Sequence, residues 1–258
     1  MKKTIDYIIK SANELPYLKM YLKSFKDGDP DVWESADIKV FANNCTDGTK
    51  QWCDKNNIWC EEVNLPGLYS IWNYGASITN NHVLVFSASD FVLAPKFWEA
   101  ILQAEFRNIL YGMSIDQIGH FYHWTGTCID NGISYPHPDI PERRWYNSDC
   151  GDNWKDFNFK KLLNAADELK SNKEITPKET SYCPFLTSRE HYDTLNGFNT
   201  SLGDYPTDID HDFIRRGKEL DRECAIVNNS FFYHFGKKSL LRRDGTNLEY
   251  KLEDIGDL

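Results

Sequence analysis

Two side chains distant in the sequence have the chemistry to share a divalent cation. Asp90 follows the apolar run 82–86 through Ser87-Ala88-Ser89. A carboxylate at a buried strand end can take a hard cation that bridges two phosphates; the same residue type also suits a turn or a helix cap. His234 sits in Phe231-Phe232-Tyr233-His234-Phe235-Gly236, with Lys237 and Lys238 next. A histidine among aromatics is commonly a core residue, but the lysines would set phosphate contacts beside an imidazole ligand. A third group is Asp208, Asp210 and Asp212, at alternate positions entering a helical pattern. Carboxylates there stabilise a helix N-terminus or supply a general base. Asp208 and Asp212 are one turn apart and share a face; Asp210 points elsewhere.

Three loops add polar residues: 11–13 with Ser11 and Asn13, 43–47 with Asn43 and Asp47, and 87–90 with Ser89. Each follows an apolar run, and each alone reads as an ordinary turn. Together, beyond the carboxyl ends of parallel strands, they outline a place for a nucleotide.

The elements that must position these residues follow from periodicity. Strands are expected at 5–9, 37–42, 58–63 and 82–86, each a short β-rich run. Leu15, Leu18, Leu22 and Phe25 recur at helical spacing after Pro16, and Gly28-Asp29-Pro30 closes that helix. A helix surrounds Trp52, capped by Thr46 or Asp47. Another covers 69–78, where Gly75 and Ala76 permit close packing, and a fourth opens at Pro95. Strand and helix in alternation imply a largely parallel sheet. After residue 110 the order changes. A strand is expected at 115–122, a long turn-rich loop at 124–160, and a helix around Leu162 to Leu169. Ser188 caps a helix ended by Gly197, a further helix spans 208–220, and two closing strands cover 225–227 and 231–235. The charged tail after Gly236 is expected to be loose until a ligand orders it. No repeat or low-complexity segment occurs.

Composition narrows the classes. The 258 residues suit one large α/β domain or two small ones. A net charge of −10 argues against a broad nucleic-acid footprint. The seven cysteines are odd in number with no CxxC pair, so zinc is not indicated and free thiols in a reducing cytoplasm are expected. The N-terminal apolar run is too short for a signal peptide, and no run reaches membrane-spanning length.

In order and spacing, these stretches resemble glycosyltransferase family 2 and its GT-A relatives. Residues 8–13 with Leu15-Pro16-Tyr17-Leu18 look like the opening strand, nucleotide loop and helix. Phe41-Ala42-Asn43-Asn44-Cys45-Thr46-Asp47-Gly48-Thr49 is similar to the family's second-strand signature. Gly67 with Trp72-Asn73-Tyr74-Gly75-Ala76 looks like its G…N-x-G helix, and 86–95 like its DxD strand end. Cys183-Pro184-Phe185-Leu186, Arg189 and Gly197-Phe198 resemble the acceptor-side segment; 210–216 and 233–236 resemble the base helix and terminal His strand. Residues 111–180 lie outside the resemblance.

The resemblance implies an α/β fold: a single GT-A-type domain with a mostly parallel central sheet and helices on both faces. Residues 1–110 would form the nucleotide-sugar half and 111–258 the acceptor and catalytic-base half. It implies a nucleotide diphosphate sugar as donor, Mn²⁺ or Mg²⁺ on Asp90 and His234, Asp210 as base with Asp208 second, and inversion at the anomeric carbon. Donor contacts would come from Ser11, Asn13, Asn43, Asp47, Asn73 and Ser89, with Lys237, Lys238 or Arg242 on the departing diphosphate. Arg216 would fix the base helix through a carboxylate. Ala42 and Ala88 stand where the family usually has aspartates that meet the uracil and the ribose or a metal-bound water. The acceptor stays open among a glycan, a lipid-linked sugar, a protein and a modified DNA base. The basic-aromatic run Pro141-Glu142-Arg143-Arg144-Trp145-Tyr146 favours the last and the net charge opposes it. An inactive sugar- or nucleotide-binding module is the alternative that Ala42 and Ala88 suggest. A nucleotidyltransferase would carry a Gly-rich loop that 5–16 lacks.

Overall fold

The computed structural model describes residues 3–104, 109–116, 127–130, 133–136, 150, 154–155, 157–169, 175–178, 183–203 and 206–235. The first half alternates as expected. In chain order come β1 (Ile5–Ser11), α1 (Leu15–Gly28), α2 (Pro30–Ser35), β2 (Ala36–Asn43), α3 (Thr49–Lys55), β3 (Trp59–Val63), α4 (Gly67–Ser77) and β4 (Val83–Ala88). Then follow β5 (Phe91–Leu93), α5 (Phe97–Gln103), β6 (Ile109–Asp116), β7 (Thr127–Asp130), β8 (Ile133–Pro136), α6 (Phe159–Leu169) and β9 (Ile175–Lys178). The chain continues through β10 (Phe185–Ser188), α7 (Arg189–Thr194), a short 3₁₀ turn (Thr200–Leu202), α8 (Pro206–Lys218) and β11 (Cys224–His234).

The main sheet runs β3-β2-β1-β4-β10-β6-β11-β5, with β9 also on β11. β1 to β4 are mutually parallel, as are β6 and β11, while β10 runs against β4 and β6. Alternating side chains feed two cores, as the pleat demands. Ile8, Phe41, Leu84, Phe86 and Phe185 face α4, α7 and α8 through Trp72, Tyr192 and Phe213. Tyr7, Ile9, Val40, Val85 and Leu186 face α1, α3 and α5 through Leu18, Leu22, Trp52 and Trp98. Helices thus cover both faces of a mostly parallel sheet.

Helix packing is close where the residues are small. A Cβ on Gly75 would stand 2.6 Å from Ile8 Cγ2 and 2.9 Å from Phe41, so α4 lies directly on β1 and β2. Ser188 Oγ accepts from the backbone N–H of His191 at 3.0 Å, capping α7 as expected. Gly197, at φ +67°, ends that segment.

The second half corrects several expectations. The strand expected at 115–122 overlaps β6, which starts earlier, at Ile109; residues 117–122 of that expectation fall outside the described residues. The two closing strands are one strand, β11, whose register on β6 breaks between Val227 and Phe231. Part of the 124–160 loop is the β7–β8 hairpin. Pro30 opens α2 instead of only ending α1, because proline suits the first helical turn. β5 and β9 are too short to show periodicity; Pro177 in β9 fits an edge strand.

This topology places the site. From β1 the chain moves outward to β2 and β3, then returns to β4 on the other side. Such a reversal opens a crevice beyond the strand ends. Because β10 is antiparallel to β4 and β11 has the direction of β6, the start of β10 and the end of β11 reach the same rim.

Candidate active site

Asp90 and His234 meet on this rim. His234 Nε2 and Asp90 Oδ2 are 3.3 Å apart. Pairing of β5 with β11 sets this distance: His234 is the register partner of Phe91, and Phe235 N–H donates to Asp90 O at 3.0 Å. The rings of Phe91 and His234 lie 4.7 Å apart. Asp90 is buried, and His234 is partly open. A carboxylate and an imidazole this close would be able to hold one divalent cation between them, the carboxylate suiting Mg²⁺ or Mn²⁺ and the imidazole a transition metal. Among the described residues no group of three or more His, Cys, Asp or Glu side chains comes together for a metal. An ion there would draw its other ligands from water and phosphate, the usual habit of Mg²⁺.

The loops that flank Asp90 are tied together. Ser89 Oγ donates to Glu14 Oε2 at 2.5 Å, and Lys10 Nζ lies 3.7 Å from the same carboxylate. Lys10, Glu14 and Ser89 are all buried. The residue before Asp90 is therefore clamped through its side chain, while Asp90 itself is held through its carbonyl. Asn13, in the left-handed region at φ 55°, accepts from Thr46 N–H at 2.7 Å. Asp47 Oδ2 accepts from Leu15 N–H at 2.8 Å, and its Oδ1 accepts from Thr49 N–H and Oγ at 3.2 and 2.6 Å. One carboxylate thus serves the N-termini of both α1 and α3, where the helix dipoles favour negative charge.

Other predicted donor contacts have structural partners. Asn43 exchanges hydrogen bonds with Leu65, its Oδ1 accepting at 3.0 Å and its Nδ2 donating at 3.2 Å. Asn73 Oδ1 accepts from Tyr192 Oη at 2.6 Å and Phe198 N–H at 3.0 Å, and its Nδ2 donates to Phe198 O at 2.9 Å. Both amides therefore staple loops. Ser11 is fully buried, its Oγ lacks a partner among the described residues, and it lies opposite buried Ala42 in the β1–β2 register. Lys237, Lys238, Arg242, the charged tail and the run 141–146 fall outside the described residues.

Asp210 lies on α8, half-buried, and accepts a hydrogen bond from Tyr69 Oη of α4. Burial pushes its carboxyl up to about 7, and the Tyr69 hydrogen bond offsets part of that rise. A carboxyl in that range can take a proton near neutrality. Asp208 is in the first turn of α8; its side chain is outside the described ones. Asp212 pairs with Arg215 at 2.8 Å and Arg216 at 2.7 Å. Arg216 also donates to Leu195 O and, at 2.9 Å, to Gly197 O. The expected pairing of Arg216 with a carboxylate is present, and it anchors α8 to the end of α7.

Cys183, just before β10, connects the two centres. Burial raises its thiol well above the ordinary range, and the charges of Asp90 and Asp210 raise it further. Asp90 and the half-buried Asp210 therefore act on the same buried thiol. Sequence reading missed Lys10, Glu14 and Tyr69. Lys10 and Glu14 did leave a signal, an opposite-charge pair around the first loop. Tyr69 left none, since its partner is far along the chain.

Solved structures carry the same arrangement of elements. Over 93% of this chain and 62% of theirs, it superposes on S. aureus TarS residues 1–349 with a TM-score of 0.56 and 15% identity. With TarS in complex with UDP-GlcNAc the TM-score is 0.56 at 13% identity, over 90% of this chain and 58% of that one. With GalNAc-T7, solved with UDP, GalNAc and Mn²⁺, it is 0.60 at 13% identity, over 90% of this chain and 43% of that one. The fold is of the GT-A type. This GT-A chain spans less than two thirds of the length of each of these structures. No protein-family model and no curated protein matches it in sequence.

Proposed function

We propose that this chain is a metal-dependent, inverting glycosyltransferase that moves a hexosyl or pentosyl group from a nucleotide diphosphate sugar to an acceptor hydroxyl. The observation that carries the reading is the meeting of Asp90 and His234 at 3.3 Å on the rim of a GT-A sheet. Mn²⁺ or Mg²⁺ held by this pair would offset charge on the departing diphosphate. Residues 1–110 supply Asp90 and the tied loops of the donor half; 111–258 supply His234 and the base helix.

The remaining chemistry belongs to the chain's own residues. Asp210, with a carboxyl poised near neutrality, takes the proton of the acceptor hydroxyl as the oxygen attacks the anomeric carbon. Glu14 and the Phe235 amide hold the Ser89–Asp90 peptide in place. Asp208 is the second candidate for the base. Lys237, Lys238 and Arg242 are proposed for the diphosphate. Ser11, Asn13, Asn43, Asp47, Asn73 and Ser89 shape the donor pocket, with Asn43 and Asn73 acting through the loops they staple. Neighbouring structures hold UDP, UDP-GlcNAc and Mn²⁺, which supports this donor class. Among the described residues no helix is long and apolar enough to cross a membrane. The described cysteines are free thiols, in keeping with a cytoplasmic setting. The acceptor is a glycan, lipid-linked sugar, protein or modified nucleobase.

Buried Ala42 removes a carboxylate from the nucleoside end and favours a second reading, a binding module without turnover. Mn²⁺-dependent hydrolysis of UDP-GlcNAc and UDP-GalNAc, alongside a wider nucleotide-sugar panel, separates the two. Metal-dependent release of UDP or another nucleoside diphosphate supports the transferase. Nucleotide binding with no hydrolysis of any donor supports the module.

A further inference from the structure

Among the described side chains of α8, Asp210 is the carboxylate engaged by the tyrosine of another helix. Asp212 is occupied by Arg215 and Arg216 on its own helix. For Asp210 the recorded hydrogen-bond donor is Tyr69 Oη, which bonds Oδ1. Tyr69 is fixed in turn: it is 5% exposed, with ring centroids 5.2 Å from Trp72 and 5.1 Å from Phe198. Phe198 is itself held by both functional atoms of the Asn73 amide. The tyrosine is therefore a rigid donor aimed at one carboxylate oxygen.

We infer that Tyr69 is a positioning residue that selects the proton-accepting oxygen of Asp210 and keeps that carboxylate ionised. This rests on the reading of Asp210 as base. With Oδ1 accepting from Tyr69, the proton of the acceptor goes to Oδ2. The O–H bond of the acceptor breaks as its oxygen bonds the anomeric carbon, and the glycosidic bond to the diphosphate releases its electron pair to the leaving group. Tyr69 keeps its own proton throughout, since burial and then the neighbouring carboxylate oppose loss of it.

The surroundings make this hydrogen bond decisive. A carboxylate withdrawn even partly from water depends on a donor or a cation to stay ionised. Among the described residues, the other titratable group whose charge bears on this pair is the Cys183 thiol, raised by burial and the two carboxylates and so neutral in the working range. It offers no positive charge. Arg215 and Arg216 on α8 are spent on Asp212, Glu219, Leu195 and Gly197. Removing the Tyr69 hydroxyl therefore shifts Asp210 towards its protonated, inactive form.

Tyr69→Phe retains the ring and its packing while deleting the donor. The test has two readouts on the full chain. Carboxyl ¹³C NMR without metal follows the titration of Asp210, identified by its absence in Asp210→Asn. The midpoint should lie near 7 in the wild type and move up by roughly one unit in Tyr69→Phe. Mn²⁺-dependent hydrolysis of the UDP-sugar cleaved by the wild type, measured from pH 6 to 9, should fall about three- to tenfold at pH 7 in Tyr69→Phe and recover towards pH 9. An unmoved NMR midpoint, or a loss of rate equal at every pH, overturns the role of Tyr69. Full hydrolysis by Asp210→Asn overturns the base reading separately, whatever the NMR midpoint does.

Discussion

Asp90 Oδ2 and His234 Nε2 stand 3.3 Å apart, although one follows the fourth strand and the other ends the last. The short strand β5 makes this possible. It carries the chain from Asp90 back along β11, so that His234 pairs with Phe91 and its ring returns to Asp90. Both key pairs, Asp90–His234 and Tyr69–Asp210, join a residue of the first half to one of the second.

Asp210→Asn should lower turnover by about 10²-fold or more while nucleotide affinity stays within twofold. The same change should stabilise the protein at high pH. The folded carboxyl is raised to about 7 from an ordinary 3.8, so its favourable contribution is complete below pH 4 and lost as pH rises through 7. Above pH 7 the wild type carries a half-buried charge that the amide does not. A gain of about 1–2 kcal/mol is expected at pH 8 and little at pH 5, read from thermal melts; equal melting temperatures of variant and wild type at pH 8 would contradict it.

Acid should loosen the helix beside the proposed base. His191 is fully buried, neither ring nitrogen has a partner among the described residues, and its ring lies 5.5 Å from Phe213 of α8. Burial, then the charges of Arg222 and Arg216, push it down to about 4, with Glu190 pulling the other way. The unfolded chain binds the extra proton between pH 6.5 and 4, so stability falls as pH drops through that window, by about 3 kcal/mol. Denaturant melts at pH 7 and pH 4.5 should show this loss, and His191→Leu should reduce it. A variant with the wild-type pH dependence would remove His191 as the cause.

Arg216→Met should cost roughly 2–4 kcal/mol, because it leaves the Asp212 carboxylate and the carbonyls of Leu195 and Gly197 without a shared donor. Urea unfolding measures it. A change under about 0.5 kcal/mol would show that the α7–α8 anchor lies elsewhere.

Gly75→Ala should destabilise by about 1–3 kcal/mol, since the new methyl meets Ile8 Cγ2 at 2.6 Å and Phe41 at 2.9 Å within a packed core. Equilibrium unfolding that is unchanged would mean α4 can lift from the sheet without loss.

Much of the first half is legible because its elements are long enough to show a period. β1 and β4 are buried runs, β2 is buried over Val40-Phe41-Ala42, and α1 repeats Leu15, Leu18, Leu22 and Phe25 on one side. The second half hides its plan. β5 and β9 have three and four residues, and β11 carries an irregularity that reads as a gap between two strands. Residue type and setting single out Asp90, His234 and Asp210 as candidates, and folding brings the first two together. The work of Asn43 and Asn73 was not, since an amide that staples a loop has the same local sequence as one that meets a ligand. Tyr69 and Glu14 act through partners that only folding brings near.

Calorimetric titration of UDP and GDP, with and without Mn²⁺, into the wild type, Asp90→Ala and His234→Ala tests the shared cation most directly. Mn²⁺ should strengthen binding of at least one nucleotide to the wild type, and either substitution should abolish the metal's effect. Metal enhancement that survives intact in either variant, or is missing from the wild type with both nucleotides, would contradict it.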